Sequence, residues 1–126
     1  MISLALFSVR DIENKNDIET LIQAFYATLL QIDEMKPAFE GLDFQHHVPK
    51  IVAFWSMVLL DEEGYKTNVF DKHMHLPIKP HHFDIWRDTF ISTVKRLYKG
   101  EKAELAIQRA TVLSYTFKSK WEHLKK

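Results

Sequence analysis

The sequence predicts an all-α single domain, and three observations carry that expectation. From about Asn16 onward apolar residues recur at steps of three and four. No alternating strand pattern follows residue 10, and no internal repeat, low-complexity stretch or linker divides the chain. Its 126 residues suit one compact core that needs no disulfide staples. The expected organisation is a single domain over 1–126, with an N-terminal extension at 1–15 and a helical core at 16–125.

Each element has a local reason. Asn16, with Glu19 three residues later, reads as a capping-box start, and Ile18, Leu21, Ile22, Phe25 and Leu29 follow on one face. Pro37 is expected to stop that helix near Met35, because the residue before a proline is pushed out of helical geometry. A second helix carries Ile51, Phe54, Trp55, Val58 and Leu59. Asp43 is a good cap for it, but Pro49 then falls beyond the first turn. The regular helix therefore either begins near His47 or kinks at Pro49. Asn68 caps a short helix through Phe70 and His73 that Leu76-Pro77 ends. Pro80 opens a long helix bearing Phe83, Trp86, Phe90, Val94 and Leu97. Gly100 breaks it, and Ala106, Ala110, Leu113, Phe117, Trp121 and Leu124 line the last helix. The apolar segment Ile2–Val9 lacks a basic region before it and a cleavage site after it, so it reads as a packed extension and not a signal.

Composition excludes several functions. Seventeen basic and seventeen acidic residues cancel, which argues against nucleic acid as a partner. No apolar run approaches the roughly 18 residues of a membrane span. The absence of cysteine removes disulfides and thiolate centres and is compatible with the expected cytoplasmic location. Isolated glycines at 41, 64 and 100 exclude a glycine-rich phosphate loop.

The aromatic and histidine content is high: sixteen Phe, Trp and Tyr together, and seven His. His46, His81, His82 and His123 stand among polar residues and are expected to be solvated. A zinc-type site from His73, His75, His81 and His82 is a second reading, although no nearby carboxylate completes it. The third starts from environment. His73 shares a helical face with Phe70 and Leu76, while Tyr26, His47 and Trp86 stand on otherwise apolar faces. A purely apolar core disfavours a hydroxyl, an indole N–H and two imidazoles together. A pocket for a flat apolar cofactor with a metal at its centre would use all of them.

Four motifs in order over about residues 17–117 then resemble the group III truncated haemoglobins. They are Phe25-Tyr26, His47 followed by Phe54-Trp55, the run Lys72-His73-Met74-His75-Leu76-Pro77, and Phe83-Asp84-Ile85-Trp86. The sparse glycines agree, since groups I and II of that family typically carry Gly-Gly motifs. The resemblance implies a truncated globin, a two-over-two helical sandwich around b-type haem (iron protoporphyrin IX). It implies His73 as proximal iron ligand, Tyr26, His47 and Trp86 as polar distal residues, and Ile51 on the distal side. Phe39 falls where the family keeps an aromatic against the porphyrin, and Phe54, Phe70 and Trp86 are further cofactor contacts. Lys50 and Lys72 are candidates for pairing with haem propionates. The implied ligands are dioxygen, nitric oxide and carbon monoxide. Nitric oxide dioxygenase or peroxidase-like turnover would borrow an external reductase, because the chain has no nicotinamide or flavin motif. The alternative from the residues alone is a non-haem helical binding module with an aromatic core.

Overall fold

A computed structural model describes residues 9–62 and 78–124. His73, His75, Phe70, Lys72 and the expected helix from Asn68 lie outside the described residues.

Helix α1 spans Lys15–Leu29. Its cap is Asn14, not Asn16: the Asn14 side chain accepts from the Asp17 amide at 2.9 Å, and the Asp17 carboxylate accepts from the Asn14 amide at 3.3 Å. A third partner decides between the two candidate boxes. Arg10 grips the buried Asp17 carboxylate with two bonds, at 2.6 and 2.8 Å, which fixes Asp17 at the helix start. At its other end α1 stops at Leu29, short of the expected Met35. A 3-10 turn, Asp33–Met35, follows, then the one-turn helix α2, Lys36–Phe39. Pro37 thus stands in the first turn of a helix, where its missing N–H has no helical partner to lose.

Helix α3, Phe44–Leu60, begins before His47 and continues through Pro49. The Asp43 side chain accepts from the Gln45 amide at 3.1 Å and its carbonyl from the His47 amide at 2.9 Å, so the cap wins over the proline. Asp61 ends the helix in the left-handed conformation. Helix α4, Pro80–Leu97, has its proline at the first helical position as expected, and α5 spans Glu101–Leu124.

The helices stack in two pairs. Helix α1 packs on α3 and α4, α5 packs along α4, and α3 also meets α5. Between the pairs lie Leu21, Ile22, Phe25 and Leu29 of α1, Val52, Trp55 and Leu59 of α3, and Phe90 and Val94 of α4. Ala103, Ala106 and Ala110 form the buried stripe of α5, small enough to bring its backbone close to α4.

Of the segment Ile2–Val9 expected to pack, residues 2–8 lie outside the described residues and Val9 is exposed; the contacts begin at Arg10. Arg10 bridges to Tyr98 in the α4–α5 corner, and the Lys99 amide donates to the Arg10 carbonyl at 3.0 Å. Asp11 then caps α5 from far along the chain, accepting from the amides of Lys102 and Ala103, each at 2.9 Å. A Cβ on Gly100 would sit 2.4 Å from Asp11 Cγ, so only glycine lets the carboxylate approach. No described helix is long and apolar enough to cross a membrane.

Candidate functional site

Two polar aromatic positions meet where α1 faces the first turn of α3. Tyr26 points inward beside Phe25, 5% exposed, and its hydroxyl lies 2.6 Å from His47 Nε2. Capping by Asp43 brings this about, because it makes His47 the fourth helical residue and turns it toward α1. The Tyr26 ring is boxed by edges of Phe39, at 5.9 Å, and Phe44, at 5.5 Å. Burial pushes the Tyr26 phenol well above its ordinary range, so it keeps its proton at any physiological pH and remains a hydrogen-bond donor.

Trp86 of α4 forms the opposite wall. It stacks on Phe90, with centroids 5.6 Å apart and planes 11° from parallel, and Phe90 stacks in turn on Trp55 at 4.7 Å. Phe25 meets both Trp86 and Phe90 edge-on, at 5.9 and 5.4 Å. This continuous column runs from α4 to α3 and fixes the indole plane of Trp86.

Two apolar cavities of about 20 Å³ each flank Trp86. Tyr26, Ile51, Phe54 and Phe117 border the first, and Met35, Phe39, Ile78, His82 and Phe83 border the second. Each has room for one water-sized or diatomic molecule. The first cavity is the chemically distinctive one: apolar walls carry one buried phenol, paired with an imidazole. Such an environment strengthens hydrogen bonds to a polar guest, because little water competes.

Of the residues singled out from sequence, the structure brings Tyr26, His47, Ile51, Phe54, Phe39 and Trp86 around these spaces. Lys50 is exposed on α3 and lines neither cavity. Phe44 was missed. It touches both Tyr26 and His47 and stands three residues before His47, a helical spacing that could have revealed it. Phe83, Phe117 and Met35 are further walls.

His82 overturns one expectation. Far from being solvated, it is 8% exposed, and its Nδ1 accepts from the Lys79 amide at 2.9 Å. Burial, and then the neighbouring His81, lower its pKa. His81 is half-exposed and contacts Glu34 of the 3-10 turn. The carboxylate expected to be missing near these histidines is therefore present, brought from 47 residues away by the fold. His46 matches its expected exposure and pairs with Asp43 at 2.5 Å, and His123 is exposed.

No family model matches the chain. Among curated relatives, the group 3 truncated hemoglobin of Campylobacter jejuni subsp. jejuni is 27% identical over 113 residues, covering 84% of this chain and 89% of that protein. A crystal structure of a group III truncated hemoglobin from Campylobacter jejuni matches with a TM-score of 0.80 at 26% identity, covering 90% of this chain and 95% of the other.

Proposed function

We propose that this chain, a group III truncated globin in sequence and fold, is a haem protein that binds dioxygen and other diatomic ligands. The observation that carries the reading is the buried Tyr26 hydroxyl held by His47 at the edge of an apolar cavity walled by Trp86. The donor set fits a porphyrin with a gas-binding iron. Phe39, Ile51, Phe54 and Trp86 offer apolar faces, and the Tyr26 hydroxyl with His47 beside it supplies a polar edge. The two cavities are by themselves too small for a macrocycle. His73, the iron ligand by sequence position, and its sequence neighbours Phe70 and Lys72 lie outside the described residues. Lys50 and Lys72 are assigned to the propionates.

When bound, haem b would supply an iron that takes a diatomic ligand on one face and exchanges electrons. The chain's residues decide what happens there. One proton lies in the His47–Tyr26 contact, and the ring tautomer decides which side donates it. With the ring proton on Nε2, His47 donates to the phenol oxygen and leaves the Tyr26 O–H free to donate into the cavity. The donation is reinforced, because each bond in such a chain polarises the next. The indole N–H of Trp86 is the second donor. Each bond to a polarised guest is worth about 1–1.5 kcal/mol, so two slow its escape by tens-fold or more. Carbon monoxide, less polar when bound, gains less.

Slow release does not suit bulk oxygen delivery. It suits ligand sensing, reaction of retained oxygen with nitric oxide, or peroxide chemistry in which the same donors stabilise developing negative charge. Sustained turnover would draw electrons from a separate reductase.

The experiment is optical and kinetic. Purified protein should show an intense Soret band that carbon monoxide shifts after reduction, and His73→Ala should lose or weaken it. Oxygen should leave faster from Tyr26→Phe and Trp86→Phe than from wild type. A colourless protein that takes up no added haemin would refute the proposal in favour of a non-haem helical module.

A further inference from the structure

The cluster of Glu34, His81 and His82 has no part in the chemistry above. His81 and His82 occupy the second and third positions of α4, and Glu34 reaches them from the 3-10 turn that leads into α2. Both imidazoles aim Nε2 at one carboxylate oxygen. His81 Nε2 touches Glu34 Oε2, and His82 Nε2 lies 3.4 Å from the same atom. The ring centroids are 4.3 Å apart, and one ligand atom from each of the three residues falls within a 4.8 Å sphere of mutual distance.

We propose that Glu34, His81 and His82 form a surface binding site for a zinc-class divalent cation, with water completing a tetrahedral shell. Two imidazole nitrogens and one carboxylate oxygen are a donor set that zinc accepts readily. Bond lengths of about 2.1 Å at the tetrahedral angle put neighbouring ligand atoms about 3.4 Å apart, the separation already present between His82 and Glu34. Glu34 and His81 are half-exposed, so a cation and its water reach the site from solvent. His82 is the anchored member, its side chain only 10% exposed.

Charges around the cluster set its strength. Glu34 supplies the negative charge, since Asp33 in the same turn pairs with Lys36 at 3.0 Å. Lys79 and the N-terminus of α4 oppose a cation. Micromolar affinity is therefore expected, not the tight binding of a closed structural site. Coordination also leaves a local mark. A metal on His82 Nε2 requires the ring proton on Nδ1, so the Lys79 amide must release the bond it now makes there.

The test is calorimetric titration of the full chain with Zn²⁺ alone, in chelator-treated buffer near pH 7.5. One zinc per chain is expected. Glu34→Gln and His81→Ala, both at half-exposed positions that the fold tolerates, should each weaken it more than about tenfold. His46→Ala, at a separate exposed pair, should leave affinity unchanged. Nitrogen-15 NMR should show the Lys79 amide and His82 ring resonances moving at stoichiometric zinc. No heat up to about 100 µM zinc, or an affinity that either cluster variant holds within tenfold of wild type, overturns the proposal. In that event the three side chains are a plain set of histidine–carboxylate hydrogen bonds. The zinc titration reads heat and the optical test reads the Soret band, so the failure of one is distinguishable from the failure of the other.

Discussion

Replacing Asp11 by alanine tests whether the N-terminal arm holds the last helix. The carboxylate accepts three backbone bonds: from Lys102 and Ala103 at 2.9 Å and from Ile12 at 2.8 Å. Losing a helix cap costs about 1–2 kcal/mol, and the third bond adds about 1 kcal/mol. Ala103 is only 2% exposed, so water reaches its orphaned amide poorly and the loss belongs in the upper half of the range. The sum is about 2–3 kcal/mol, equivalent to a fall in melting temperature of about 10 °C. The pH dependence is a second signature. Burial works to raise the Asp11 pKa, but the amide bonds from Lys102, Ala103 and Ile12 outweigh it and the net shift is downward. A carboxyl depressed in the folded state stabilises fully above its unfolded value of about 3.9, and that contribution is lost as pH falls through the folded one. Urea or thermal unfolding of wild type and Asp11→Ala should therefore differ fully at pH 7 and converge below about pH 4. A difference under about 0.5 kcal/mol at pH 7, or one that widens on acidification, would refute the capping argument.

Other perturbations follow from the same geometry. Gly100→Ala forces a Cβ to within 2.4 Å of Asp11 Cγ, and thermal unfolding should show a loss of at least about 2 kcal/mol. Ser56 buries a hydroxyl with no hydrogen-bond partner among the described residues, so Ser56→Ala should be neutral or stabilising by up to about 1 kcal/mol; a clear loss in urea titrations would mean that the oxygen is paired in solution. Tyr26→Phe removes the buried hydroxyl that meets His47. Stopped-flow measurement should find oxygen release faster by about tenfold, the equivalent of 1.4 kcal/mol, and an unchanged rate would remove Tyr26 from the ligand site.

The periodic signal made the helices legible, and the motif order made the truncated-globin fold legible. What failed were boundaries and long-range partners. Asn14 and Asn16 each offer a cap with an acid three residues on, and only Arg10 folding back onto Asp17 separates them. Pro37 is a stop signal or a first-turn residue, depending on whether the chain has already turned, and here it has turned at Leu30. Around the candidate cavities, Tyr26, His47 and Trp86 stand out in the sequence as polar misfits on apolar helical faces, whereas Phe39, Ile51 and Phe54 enter the site only through the family resemblance. His82 was misread because its polar neighbours in sequence are not its neighbours in space. Met35, Phe39, Ile78 and Phe83 share a cavity wall with it. Glu34 was invisible for the same reason, since nothing local links position 34 to position 81.

Pro49 ties the fold to the candidate site. As the sixth residue of α3 it cannot donate to the Gln45 carbonyl, so the turn from Phe44 to Val48 has one fewer bond to the rest of the helix. That turn carries His47. It is held from below by Asp43, whose carboxyl is kept low chiefly by its bond to His46, and from the side by Tyr26. The Tyr26–His47 bond therefore fastens a weakened helical turn as well as setting the polarity of the cavity. With the ring proton on His47 Nε2, the contact persists when the phenol proton turns toward the cavity, so the bond that fastens the turn also polarises the donor.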